Sequence, residues 1–149
     1  MQLRFYKGEF GDYWDKLICF WTRGPYSHVE LHFGDDECFS SSSRDNGVRF
    51  KTIPLTDRWA VVDIGHEDIK SDVRAWCQSE VGKQYDWAGA IGCGLWLNLS
   101  SKNKRFCSEV TMMALDRFKI RHCPDVLSPN RMYEMVIRSS PRTSDHLPT

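Results

Sequence analysis

Cysteine and histidine are the side chains a thiol hydrolase needs, and this sequence offers one of each in a telling setting. Cys107 stands in Arg105-Phe106-Cys107-Ser108-Glu109-Val110, at the head of a stretch with helical spacing. A helix start presents unpaired N–H groups and a partial positive charge, which favour thiolate over thiol and can hold a developing oxyanion. His28 stands in Pro25-Tyr26-Ser27-His28-Val29-Glu30-Leu31-His32-Phe33-Gly34, where apolar Val29, Leu31 and Phe33 alternate with polar His28, Glu30 and His32. That pattern predicts a strand with one apolar face and one polar face, opening on His28. An imidazole meeting the Cys107 sulfur completes a nucleophile–base pair. The competing readings are a small buried hydrophobe for Cys107 and a half-exposed strand residue for His28.

A third group is needed to orient the imidazole. Gly34-Asp35-Asp36-Glu37 has turn chemistry, so residues 38–42 are expected to return antiparallel to the histidine strand. Pairing Gly34 with Glu37 sets Glu30 opposite Ser41 and His28 opposite Ser43. Glu30, Ser41 and Ser43 are therefore the candidate orienters. Tyr85 is either a core aromatic or a hydroxyl on the cleft wall. His28 and His32 form an H-x-x-x-H pair, but four residues of strand span about 13 Å, too far to share one ion. No metal and no cofactor are expected.

The elements that must position these residues follow in order. Residues 3–6 read as a strand and 12–22 as a helix, with Trp14, Leu17, Ile18 and Trp21 at helical spacing and Asp12 as N-cap. Gly24-Pro25 ends that helix. Asp45-Asn46-Gly47 marks a second turn, and strands are expected over 48–53 and 59–64. Residues 68–81 read as a helix closed by Gly82 at C′. Asp86 is a candidate cap for a helix over 87–97, a polar loop covers 100–104, and residues 107–118 form the cysteine helix. Ser128-Pro129 restarts the chain as N-cap and first helical residue, and the tail from 139 reads as frayed. Strands come first and helices after, hence one α+β domain over 1–149, a small antiparallel sheet packed against helices.

Composition narrows the function classes. The formal net charge is +0, which argues against electrostatic capture by nucleic acid or by an anionic membrane. No apolar run approaches the roughly 20 residues needed to span a bilayer. The N-terminus lacks the apolar region of a signal peptide, so the cytoplasm is the default expectation. The 6 cysteines include no C-x-x-C pair, and without a secretory signal they are expected as free thiols. Cys93 and Cys123 stay open as exposed thiols. Lys102, Lys104 and Arg105, beside the cysteine, read either as a solvated loop or as a preference for anionic substrates.

Three motifs together carry a family resemblance: Tyr26-Ser27-His28-Val29-Glu30-Leu31, Gly82-Lys83-Gln84-Tyr85-Asp86-Trp87 and Phe106-Cys107-Ser108-Glu109-Val110. In this order the chain resembles the circularly permuted papain-like branch of the NlpC cell-wall peptidase superfamily. It is most similar to YiiX-like members and more distantly similar to lecithin–retinol acyltransferase-like enzymes. In that branch histidine precedes cysteine, as here. The resemblance implies a permuted papain-like fold, Cys107 as nucleophile and His28 as general base. It also implies an orienting residue on the following strand, often acidic or a histidine, where this chain has Ser40, Ser41, Ser42 and Ser43. The implied activity is cysteine hydrolysis of a peptide or acyl amide, with peptidoglycan stem peptide as the leading class. Lysis, a secretion machine or a virion would bring such an enzyme to that substrate. The rival readings are an acyltransferase or thioesterase on lipids, and a catalytically silent binding module.

Overall fold

Alternating apolar residues set up a five-stranded sheet, and the helices that follow cover its apolar face. The computed structural model describes residues 1–86, 104–122 and 127–139. Its strands are β1 (Gln2–Lys7), β2 (Tyr26–Gly34), β3 (Glu37–Ser42), β4 (Gly47–Thr52) and β5 (Trp59–Asp63), in the order β4-β3-β2-β1-β5. All neighbouring pairs are antiparallel. Leu3 and Phe5 of β1, Val29 and Leu31 of β2 and Phe39 of β3 point to one side and are fully buried. Onto this side pack α3 (Cys107–Arg117) and α4 (Pro129–Ser139), with α2 (Lys70–Glu80) adding Val73 and Cys77 to the same core. The architecture is α+β, as the order of patterns predicts.

The β2–β3 hairpin turns on Asp35 and Asp36, both at positive φ (47° and 57°), as a tight hairpin turn requires. Its register is not the expected one. Gly34 does pair with Glu37, but an irregularity between His32 and Gly34 makes His32 face Cys38 and Leu31 face Phe39. One extra residue in a strand turns every side chain beyond it to the other face. The slip carries Ser41 to the buried side of the sheet and brings Ser40 beside Glu30.

The remaining elements fix the start of β2, where His28 stands. In α1 (Tyr13–Thr22), Asp12 caps the helix by accepting from Trp14 and Asp15 N–H groups, and Asp15 returns a bond to the Asp12 N–H. Asp15, the one buried residue of α1, also accepts from Ser27 Oγ at 2.7 Å. Ser128 caps α4 through the Arg131 N–H. Asn130, in the first turn, accepts from the Tyr26 N–H at 2.8 Å and donates to the Tyr26 carbonyl at 2.8 Å. A Cβ on Gly24 would collide with this asparagine. The strand is thus clamped from both sides, immediately before His28. The expected helix over 87–97, the thiols Cys93 and Cys123, Lys102 and the tail beyond 139 lie outside the described residues.

Candidate active site

Cys107 is the first residue of α3, as its sequence position predicts. Phe106 before it is extended (φ −111°, ψ 172°) and cannot cap the helix with its side chain. Glu109 reaches back to accept from the Phe106 N–H at 3.3 Å, giving one half of a capping box. The first N–H groups of the helix are therefore left without a side-chain acceptor from the capping residue. Thr111 Oγ1 donates to the Cys107 carbonyl at 2.9 Å and steadies the first turn. The cysteine itself is 4% exposed.

His28 projects from β2 into contact with Cys107 on one side and Glu30 on the other. Burial works against its charged form, but the Cys107 sulfur and the Glu30 carboxylate, by charge and by hydrogen bonding, push its pKa up to about 10. Nε2 of the ring lies 2.7 Å from Glu30 Oε1. The hydrogen bond to the imidazole thus comes from two residues along the same strand, not from a serine across the hairpin. Ser41 is buried on the far side of the sheet, and Ser43 sits in the turn after β3, on the cleft wall. The bulge removed both from the positions that the unshifted register assigns them.

Glu30 is 1% exposed, and a carboxylate so deep needs charged partners. Arg49 supplies them. Its Nη1 and Nη2 donate to Glu30 Oε2 and Oε1, each at 2.7 Å, in a bidentate fork. Arg49 reaches this place because β4 pairs it with Ser40, the residue the register shift sets beside Glu30. Its Nε donates to Asp45 at 2.9 Å, and Asp45 also accepts from Lys51 at 2.8 Å. Burial alone raises the Glu30 pKa, and His28 and Arg49 together bring it below the ordinary carboxylate range. Sequence reasoning missed Arg49. Its only signal was a cation alternating out of the apolar face of a predicted strand, which says nothing about its partner.

His28, Glu30, Tyr6, Trp14, Trp59 and Tyr85 line a cleft of about 340 Å³, with Arg44 and Arg49 among its charged walls. Cys107 is not on that wall. Tyr85 lines the cleft and packs against the core. It belongs to β6 (Gln84–Tyr85), which runs parallel to β7 (Lys104–Arg105), with Tyr85 opposite Arg105. The motif around residue 85 is thereby laid against the chain that enters the cysteine helix. Arg44 spans the cleft from the turn after β3 to Asp12 at 2.8 Å and Asp15 at 2.5 Å. His32, the other polar histidine of β2, accepts from Arg4 Nη2 at 2.9 Å. Among the described residues, no group of His, Cys, Asp or Glu side chains is placed to hold a metal ion.

Three comparisons bear on this arrangement: no protein-family model, no curated protein and no solved structure matches the chain.

Proposed function

We propose that this protein is a cysteine hydrolase of the amidase or peptidase type, with Cys107 as nucleophile, His28 as general base and acid, and Glu30 as the orienting residue. The observation that carries the reading is the meeting of Cys107, His28 and Glu30 at the head of α3. Burial works against a charged His28, but Cys107 and Glu30 beside it raise its pKa to about 10, and an imidazole in contact with a cysteine is the nucleophile–base pair of a thiol enzyme. With Nε2 taken by Glu30, Nδ1 is the ring nitrogen left for the sulfur. The order His28 then Cys107, and the motif around Tyr85, support membership of the permuted papain-like branch as part of the same proposal.

The chemistry follows from these positions. The thiolate adds to the substrate carbonyl carbon, forming an S–C bond and moving the carbonyl electron pair onto oxygen. The N–H groups at the start of α3 stabilise that oxyanion. Collapse breaks the C–N bond as His28 gives its proton to the leaving amine. Water then attacks the thioester, losing a proton to His28, and the S–C bond breaks to release the acid and the thiolate. Peptidoglycan-type peptides are the leading substrate class, by the resemblance of the motifs.

The test is trapping of the acyl-enzyme. A p-nitrophenyl ester should give a burst of one product per protein, with the acyl mass found on the peptide holding Cys107. Cys107→Ala and His28→Ala should each abolish the burst. Acylation at another cysteine, or an undiminished burst in Cys107→Ala, contradicts the assignment.

A further inference from the structure

The cleft beside His28 closes its charges on one another and leaves a row of aromatic rings to meet a ligand. Antiparallel pairing sets Trp59 of β5 opposite Tyr6 of β1, and Tyr6 opposite His28 of β2. Residues paired in this way share a face of the sheet, so Trp59, Tyr6 and His28 stand in line across three strands. Two strand spacings make that line about 10 Å long, enough for one large side chain and its backbone. The Tyr6 and Trp59 rings pack edge to face, with centroids 5.1 Å apart. The Tyr6 hydroxyl donates to the Phe10 carbonyl at 3.0 Å, so what Tyr6 offers the cleft is its ring. A second wall comes from α1, which buries Asp15 and turns its apolar stripe outward: Trp14, 58% exposed, and Ile18 line the same cleft.

The charged residues of the lining answer one another. Arg49 forks onto Glu30 and reaches Asp45, which Lys51 also meets, so two cations balance two acids. His28 is held to the same Glu30. On the other side Arg44 bonds both Asp12 and Asp15 but offsets only one of them. The negative charge left over sits on the first turn of α1, where both carboxylates accept backbone N–H bonds and meet the positive end of the helix. Among the described residues, every charged side chain lining the cleft thus has its counterpart inside the wall. A charged group on a ligand would have to break one of these pairs and lose its own hydration. A sugar ring would need hydroxyl partners from the same committed groups, whereas an apolar ring needs neither. We propose that the cleft is a specificity pocket for an uncharged aromatic side chain of a peptide substrate, held on the Trp59–Tyr6 row next to His28. The proposal rests on the hydrolase reading for the reaction, since His28 is where the cleft meets the reacting pair, but the binding itself needs no turnover.

The experiment follows the indole N–H resonances of the full chain, wild type and Cys107→Ala, during titration with N-acetyl amides of phenylalanine, lysine and glutamate and with N-acetylglucosamine. The phenylalanine amide should shift the Trp59 and Trp14 indoles and bind about tenfold more tightly than the lysine or glutamate amide, alike in both proteins. Trp59→Ala should weaken that binding about tenfold. Trp59→Phe, which keeps an aromatic face and guards against a misfolded edge strand, should weaken it only about twofold. Arg44→Gln takes the cation from Asp12 and Asp15 and should tighten the lysine amide about fivefold without helping the glutamate amide. No binding of the phenylalanine amide overturns the proposal, as does equal binding of a charged amide or tighter binding of N-acetylglucosamine. A phenylalanine affinity that Trp59→Ala leaves unchanged overturns it too. Selective binding without an acyl-enzyme burst supports the pocket and fails the hydrolase reading; a burst at Cys107 without selective binding does the reverse.

Discussion

Two histidines on the same face of β2, His28 and His32, differ in what the neighbouring residues do to them. His28 has a buried carboxylate at 2.7 Å and a cysteine beside it, and its pKa rises to about 10. His32 is lowered, by burial first and then by Arg4, whose guanidinium donates to its Nε2 at 2.9 Å. Arg4 holds Asp36 and the Ile53 carbonyl as well, so this second cluster fastens β1 to the turn and to the end of β4. The cysteines divide the same way. Cys38 lies 3.8 Å from Arg4, and burial, with the charge of Glu30 adding to it, pushes its thiol up to about 12. One cluster holds a cationic imidazole against a sulfur; the other holds a neutral imidazole against a cation. Alternation along a strand puts both histidines on the polar face, but the groups packed against each ring, Glu30 and Cys107 for His28 and Arg4 for His32, decide which can serve as acid and base.

The contrast can be broken at Glu30. Glu30→Ala strips Arg49 Nη1 and Nη2 and the His28 ring of their shared partner, leaving Arg49 only Asp45, and should cost about 3–5 kcal/mol of stability, read as a lower denaturant midpoint. Arg49→Met removes the fork but keeps His28 as a partner for Glu30. It should cost about 2–3 kcal/mol and raise the Glu30 pKa, moving the acid limb of any activity profile upward. Asn130→Ala strips the Tyr26 N–H and carbonyl of their partner, at about 1–3 kcal/mol, and should loosen the strand that carries His28. Amide exchange at the start of β2 reads that loosening, which a purely global destabilisation would not confine there.

A pH series sharpens the same contrast with a smaller effect. A group with a raised folded pKa contributes stability that is complete below its unfolded value, near 6.5, and is lost as pH rises through the folded one. The stability difference between wild type and His28→Gln should therefore be largest in mild acid and fade towards pH about 10. The lowered pKa of Glu30 works oppositely: its contribution is present above the ordinary carboxylate range and goes as pH falls through the folded value. His32→Gln should leave the alkaline trend where it is.

Much of this arrangement was legible in the residues. The alternation around His28 predicts β2 and its polar face, helical spacing predicts α3 starting at Cys107, and Ser128-Pro129 predicts the start of α4. Asp12 as a cap is equally plain, because capping is local. The orienting residue was not decidable, because one irregular residue near Phe33 changes which serine meets Glu30, and nothing local in Phe33-Gly34 announces it. Arg49 was invisible for a related reason: a cation's partner across two strands depends on that register. The spacing of Trp14, Leu17 and Trp21 predicts a helix but not which way it faces. Here buried Asp15 overrides the usual inward turn of the stripe.

The pairing of Cys107 with His28 is tested most directly by the rate of iodoacetamide alkylation at each cysteine against pH, located by mass spectrometry. Cys107 should label selectively near neutral pH, while Cys38 stays unreactive until strongly alkaline conditions, and His28→Ala should remove the neutral-pH reactivity of Cys107 while His32→Ala leaves it intact. Labelling of Cys107 no faster than Cys38, or unaffected by the loss of His28, would contradict the assignment of this pair as the reacting centre.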